Sequence, residues 1–189
     1  MTVDFAAQRA IMVESQVRVA DVTDYAIQDA MRVVQREKLL PPARAYLAYA
    51  DVEVEYAPGR WLLKPRDVAK LLQALRPRPG ERALAIAAPY AAAVLEAMGV
   101  SVTRLDDGDL TQTAGEYDLA ICEGAVARVP AGWSAALAVG GRLAAVECDG
   151  RIGRAELYVR SEHGVGRRDL FDCAPPIMAG FEPAAAFTF

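Results

Sequence analysis

Short apolar runs alternate with helical patterns through the second half of the chain, and this alternation constrains the fold more than any other feature. The apolar runs are residues 82–87, 100–105, 117–122 and 142–147, and the helical patterns between them are residues 90–98 and 130–139. Strands joined by helices pair in parallel, because each connection crosses back over the sheet. The pattern predicts an α/β fold in which helices cover both faces of a mostly parallel, twisted sheet.

The two ends of the chain differ from this pattern. Residues 155–160 and 168–173 flank the polar turn SEHGVG, which predicts a C-terminal antiparallel hairpin. Near the other end, the spacing predicts a helix over 5–19 and a second helix that Thr23 or Asp24 caps. Residues 41–61 are predicted to form an irregular segment that covers the active site. Pro65 is predicted to start a helix. We expect one domain, 1–189, with residues 1–64 as cap and substrate-side loop and 65–189 as core.

Composition and charge exclude several classes of protein. The net charge of −4 provides no basic stripe for nucleic acid, and 53% hydrophobic residues are too many for a disordered chain. The most apolar stretch, residues 83–95, is interrupted by Pro89 and is too short to span a membrane. The three cysteines are widely spaced, which indicates neither a disulfide framework nor a metal site. With no secretory signal at the start, we expect a cytoplasmic protein.

Several sequence blocks occur in the order typical of one enzyme family. They are MVESQVR, VTD, AMRVVQRE and AYAD, then GRWLLKP, and later YDLAICEGAVARVP, LAVGGRLAAVE and APPIMAGF. Together they resemble the protein-L-isoaspartate O-methyltransferases, especially the short bacterial relatives, over nearly the whole chain. The resemblance implies a class I, Rossmann-like methyltransferase fold with S-adenosylmethionine as cofactor. It also implies methyl transfer to the carboxylate of isoaspartyl residues in damaged proteins or peptides, which needs no metal.

The first departure from the family lies in the loop after the first core strand. Family members have glycines there, because bare backbone must pass close to the methionine part of the cofactor. Here Ala87, Ala88 and Pro89 stand at those positions, and the turn is about two residues short. We expect these side chains to narrow or fill the cofactor pocket.

Two further departures affect the nucleoside and substrate sides. The family has a helix and a third strand after the second strand, whereas this chain has only DDGDLTQTAGE, so the sheet is expected to be truncated. Asp106 remains at the end of the second strand as the ribose-side acid, although DDGD reads equally well as a solvated turn. The family's hydroxyl residue, two positions before the proline of GRWLLKP, is Leu63, which cannot carry a proton.

Other candidates are weaker. Glu123 ends the third core strand, where ligands bind in this architecture, and it is the second acidic candidate. Arg60 and Lys64 lie beside the expected pocket mouth, where they are either carboxylate partners or part of an exposed loop. Arg160, Arg167 and Arg168 form a cluster with two interpretations: it binds an acidic partner, or its side chains are simply exposed to water. Cys122 reads as inert core.

These observations leave three functions open. The first is a degenerate family member. It either binds S-adenosylmethionine weakly or does not bind it, and in the second case it has no cofactor. The second is an active carboxyl methyltransferase of isoaspartyl residues. The third is a non-catalytic interaction module, in which the exposed edge of the second strand pairs in a homodimer.

Overall fold

The computed structural model describes residues 4–149 and 152–183. The α-helices are α1 (Phe5–Met12), α2 (Tyr25–Val33), α3 (Pro65–Leu75), α4 (Pro89–Ala97) and α5 (Ala131–Ala135). The strands are β1 (Val54–Ala57), β2 (Arg60–Leu62), β3 (Arg82–Ile86), β4 (Ser101–Leu105), β5 (Tyr117–Val126), β6 (Leu137–Asp149), β7 (Ile152–Ser161) and β8 (Gly164–Asp172). A π-helical turn, Val13–Val17, and three 3₁₀ turns, Arg18–Ala20, Arg36–Leu39 and Pro42–Leu47, complete the secondary structure.

The main sheet has six strands in the order β4-β3-β5-β6-β7-β8. The pairs β3–β4, β3–β5 and β5–β6 are parallel, whereas β6–β7 and β7–β8 are antiparallel. The prediction of an α/β fold with a mostly parallel sheet and a C-terminal hairpin is therefore confirmed. In the described part of the chain, β4 and β8 form the two edges of this sheet.

Local sequence signals explain where α2 and α3 begin. The Asp24 carboxylate accepts hydrogen bonds from the amides of Ala26 and Ile27, so it caps α2 as predicted. Pro65 occupies the first position of α3, where a missing N–H costs no hydrogen bond. The predicted helix over 5–19 is present, but its second half is a π-helical turn followed by a 3₁₀ turn.

Alternating residues of the strands bury their side chains in two separate apolar clusters. Ala83 and Ala85 face one cluster, which also contains apolar residues of α1, α2 and α3, whereas Leu84 and Ile86 face the other. The N-terminal helices thus pack on one face of the sheet, and Trp133 of α5 packs on the opposite face. This arrangement places the N-terminal segment directly beside the carboxyl ends of β3 and β5.

The small hairpin β1–β2 is held against the chain that follows β8. The Ala179 amide donates to the Gly59 carbonyl at 3.2 Å, and Arg60 Nη1 donates to the Ala179 carbonyl at 2.9 Å. The same segment returns to β5, where Ile177 forms a parallel bridge with Ala125. The hairpin therefore contacts the segment that bridges to Ala125 near the carboxyl end of β5, and its role as the cover of a site stays a prediction.

The predicted helix over 130–139 is wrong in its second half. The helix α5 ends at Ala135, and β6 begins at Leu137, which pairs with Tyr117 of β5. Gly140, with φ of +84°, lies where the register between β5 and β6 shifts. Strand pairing has overridden the helical spacing: Leu137 is fully buried by the sheet, whereas Val139 is left exposed. None of the described helices is long and apolar enough to cross a membrane.

Candidate functional site

The carboxyl ends of β3, β4 and β5 meet at one edge of the sheet. In open α/β sheets this edge forms a crevice at which ligands bind, because the strand order changes direction there. Here β3 lies between β4 and β5, so the crevice lies above the turn that follows Ile86. The Ala87 amide donates to the Leu105 carbonyl at 2.9 Å and ties this turn to β4. We call this region the crevice.

The turn between β3 and α4 contains no glycine, so each of its residues has a side chain. Ala87 has φ of +44°, a left-handed conformation that costs an alanine roughly 1–2 kcal/mol and that glycine adopts freely. Ala87 and Ala88 are fully buried, whereas Pro89 is half-buried at the first position of α4. The cofactor-binding role predicted for these three residues stays a prediction. The structure places their side chains in the floor of the crevice.

Glu123 is fully buried and faces the first turn of α4. One of its carboxylate oxygens, Oε2, accepts hydrogen bonds from the amides of Tyr90 at 3.0 Å and Ala91 at 3.2 Å. The N-terminus of a helix favours a negative charge, because its first amides lack partners and its dipole is positive there. The second acidic candidate thus binds the helix of its own chain.

Arg36, which the sequence analysis did not single out, fills the space beside Glu123. It enters from the 3₁₀ turn after α2 and is fully buried. Its Nε donates to the Ala48 carbonyl at 2.8 Å, and its Nη2 donates to the Leu63 carbonyl at 2.5 Å. The guanidinium carbon lies 4.5 Å from the centre of the Tyr90 ring, which is a cation–π contact.

Arg36 and Glu123 form a buried ion pair. Their nearest atoms, Nη1 and Oε1, are 3.6 Å apart, which is within ion-pair distance but too long for a good hydrogen bond. In the described structure neither atom has a hydrogen-bond partner, and the hydroxyl of the buried Tyr90 has none either. Three polar atoms are thus unsatisfied around one buried cation.

Burial and pairing act in opposite directions on this ion pair. Burial raises the pKa of Glu123 to about 7, while Arg36 and the backbone amides of Ala91, Tyr90 and Leu63 act to lower it. Burial also lowers the pKa of Arg36, against the attraction of the Glu123 carboxylate. The guanidinium remains charged because its pKa starts far above neutrality.

Leu63 connects the covering hairpin to this ion pair through its backbone alone. Its side chain is buried, its carbonyl accepts from Arg36, and its amide favours the charged form of Glu123. A leucine side chain has neither a proton to give nor an acceptor atom. Leu63 therefore contributes to the buried interior of the protein and provides no group for acid or base catalysis.

Asp106 lies at the end of β4 and is exposed. Partial desolvation raises the pKa of its carboxyl group, and Arg104 opposes that shift. The half-buried Tyr56 of β1 lies within electrostatic range of both Asp106 and Glu123, and burial together with these two charges raises its pKa. The structure thus brings both acidic candidates near the covering hairpin, but only Asp106 faces solvent.

Four of the remaining sequence candidates, Lys64, Arg60, Arg167 and Arg160, have partners within the chain. Lys64 pairs with Glu53 at 3.4 Å, and Arg60 donates to a backbone carbonyl. Arg167 pairs with Glu147 and Glu156 at 3.4 Å each, and Arg160 donates to the carbonyls of Ala135 and Leu137.

Cysteine and metal chemistry receive no support from the described residues. Cys122 is fully buried, and burial raises the pKa of its thiol, as expected for an inert core residue. No group of three or more His, Cys, Asp or Glu side chains within residues 4–149 and 152–183 is placed to hold a metal ion.

The curated proteins to which this chain is similar are named protein-L-isoaspartate O-methyltransferases. A protein-L-isoaspartate O-methyltransferase of Methylorubrum extorquens is 42% identical over 105 residues, covering 54% of this chain and 46% of the relative. One of Rhodopseudomonas palustris is 30% identical over 161 residues, covering 70% of this chain and 74% of the relative. The matched part of this chain spans about half the length of three of the curated relatives, including the one from Methylorubrum extorquens. No family model matches the chain.

The fold is also similar to a crystal structure from Plasmodium falciparum. That protein is described as a protein-L-isoaspartate O-methyltransferase in complex with S-adenosyl-L-homocysteine. The TM-score is 0.75 at 15% identity, over 90% of this chain and 97% of that one.

The architecture is therefore that of a Rossmann-like methyltransferase. The chain belongs to the protein-L-isoaspartate O-methyltransferase family.

Replacing Arg36 by methionine should raise the pKa of Glu123 above about 7, because the positive charge that favours the carboxylate is removed. A carboxyl group whose pKa is higher in the folded state than in the unfolded state loses stabilising free energy as pH rises through that interval. The interval begins near 4.5, the ordinary pKa of a glutamate carboxyl group, and ends near 7 in the wild type, and it should extend to higher pH in Arg36→Met.

The measurement is the carbon-13 shift of the Glu123 carboxyl group followed through a pH titration. Arg18→Met is the matched control, because Arg18 pairs with Glu14 at the surface and should leave Glu123 unchanged. A Glu123 pKa that is the same in Arg36→Met and wild type would show that the two groups are not coupled.

Proposed function

We propose that this chain is a degenerate member of its family that binds S-adenosylmethionine weakly or not at all. The observation that supports the proposal is the buried pair of Arg36 and Glu123, which lies with the ring of Tyr90 against the first turn of α4, the helix that follows the crevice turn. The crevice is where a ligand binds in this architecture. The protein's own side chains take that place here.

The charge of Arg36 opposes the cofactor as strongly as its volume does. S-adenosylmethionine carries a positive sulfonium centre, and a guanidinium buried in the same space repels it. To admit the ligand, Arg36 must leave the carboxylate with which it is paired. Separating a buried ion pair so that one charge is left unpaired costs about 3–5 kcal/mol. This cost must be subtracted from any binding free energy.

The nucleoside side of the crevice is also reduced. Residues 106–116 join β4 to β5 without a helix or a strand, and β4 is the edge of the sheet. Relative to the third strand that the family resemblance implies, the sheet is truncated there, and Asp106 remains as an exposed acid. An exposed carboxylate gains little from hydrogen bonds to a ribose, because water competes for the same groups.

The competing proposal is an active carboxyl methyltransferase that acts on isoaspartyl proteins or peptides. Its support is the similarity to proteins named for that activity and the presence of S-adenosyl-L-homocysteine in a protein of similar fold. Catalysis by alignment of two reactants needs no acid or base, so Leu63 alone does not exclude it. Cofactor binding therefore distinguishes the two proposals.

A third proposal is an interaction module that forms a homodimer through β4. The strand leaves one row of backbone groups unpaired, and such an edge pairs readily with a second strand. Its exposed side chains are Ser101, Thr103 and Arg104, so the edge is polar. Backbone pairing, and not burial of an apolar face, would have to hold such a dimer together.

Isothermal titration with S-adenosylmethionine and with S-adenosyl-L-homocysteine tests cofactor binding. We expect no binding heat at ligand concentrations up to about 1 mM, because admitting the ligand would require Arg36 to leave the Glu123 carboxylate. We also expect no methyl transfer to an isoaspartyl peptide. Micromolar affinity for either ligand would favour the active enzyme instead, and an active member of the family serves as the positive control.

Sedimentation equilibrium tests the module. If β4 pairs with a second copy, the mass at high micromolar concentration should approach twice that of the chain. A monomer at the same concentration would contradict the dimer and would leave the cofactor proposal unaffected.

A further inference from the structure

A groove outside the crevice is lined by a group of charged residues, most of them positive. It encloses about 770 Å³ between the loop at residues 20–24, the C-terminal half of α3 and one face of β8. Its charged residues are Asp21, Asp24, Lys70, Arg76, Arg78 and Arg168. None of them belongs to the crevice. We call this region the basic groove.

The four cations of the basic groove lack acidic partners. Within the described residues, Lys70, Arg76, Arg78 and Arg168 form no ion pair with a carboxylate, whereas the nearby Arg66, Arg142 and Arg154 all do. The ammonium group of Lys70 instead lies 3.8 Å from the centre of the Phe171 ring. In a chain with net charge −4, this local excess of positive charge favours an anionic ligand.

The two carboxylates of the groove do not cancel this excess. The Asp24 carboxylate accepts from two amides at the start of α2 and is occupied there. Asp21 is exposed, on the loop that the Gln73 side chain holds through the Asp21 carbonyl at 2.9 Å. Two acids therefore face four cations, and one of those acids already serves as a helix cap.

One wall of the basic groove is a strand edge with an open side. Among residues 4–149 and 152–183, β8 pairs with β7 only, and residues 164–169 are exposed on both faces. Arg168 pairs in register with Leu157, which lies in the cluster that α3 covers, so Arg168 projects on the side of the groove. An extended chain added along β8 would thus place every second side chain toward the groove.

We propose that the basic groove binds an acidic segment of another protein, which adds as a strand along β8. Its backbone pairs with the free edge of β8, and its carboxylates pair with Arg168, Arg78 and Arg76. A nucleic acid fits less well, because the edge of β8 offers backbone N–H and C=O groups, which pair with another peptide backbone but have no matching partners in a sugar–phosphate chain. The proposal is independent of whether the crevice binds a cofactor.

The test measures binding of synthetic peptides to the full chain by fluorescence anisotropy. One peptide of about ten residues alternates glutamate with threonine, and its counterpart has lysine in place of glutamate. The variant Arg78→Glu/Arg168→Glu reverses two groove charges. The matched control is Lys38→Glu/Arg128→Glu, which makes the same change in net charge at exposed cations outside the groove.

The glutamate peptide should bind and the lysine peptide should not. Affinity should fall at least about tenfold in Arg78→Glu/Arg168→Glu and stay near the wild-type value in the control. Hydrogen exchange should show that the bound peptide protects amides of β8. The proposal is overturned by no binding at about 1 mM, by equal losses in both variants, or by tighter binding of single-stranded oligodeoxythymidine.

Discussion

The buried ion pair between Arg36 and Glu123 is the interaction on which the rest of the structure depends. Arg36 reaches it from the N-terminal segment and binds the carbonyls of Ala48 and Leu63, so it joins that segment to the covering hairpin. Glu123 reaches it from β5 and caps α4. Four parts of the chain are thus fixed around one pair of charges. A buried pair of this kind adds little stability compared with apolar residues, but losing one partner is costly.

The same pair links stability to function. A crevice that admits a ligand must be empty before the ligand binds. The side chains that line it then lack packing contacts on that side. Here the cation of Arg36, the ring of Tyr90 and the methyl groups of Ala87 and Ala88 supply those contacts from within the chain. The cost is visible in the left-handed Ala87 and in the polar atoms that lack partners. In this account, the protein has exchanged a ligand site for a closed interior.

Local sequence signals predicted much of the fold, and the site could be predicted only in part. Asp24 and Pro65 act on residues next to them, so the starts of α2 and α3 could be read directly. The end of α5 depends on pairing with Tyr117, which no local pattern contains. Arg36 was missed for the same reason, because its partners Ala48 and Glu123 are distant in sequence. Two signals were available: Arg36 lies between the apolar pairs Val33–Val34 and Leu39–Leu40, and it belongs to the family-like block AMRVVQRE.

The most direct test is a crystal structure of the chain grown with saturating S-adenosyl-L-homocysteine. The account predicts electron density for the Arg36 guanidinium between the Glu123 carboxylate and the Tyr90 ring, with no ligand in the crevice. Density for the ligand against residues 87–90, with Arg36 displaced from Glu123, would contradict it.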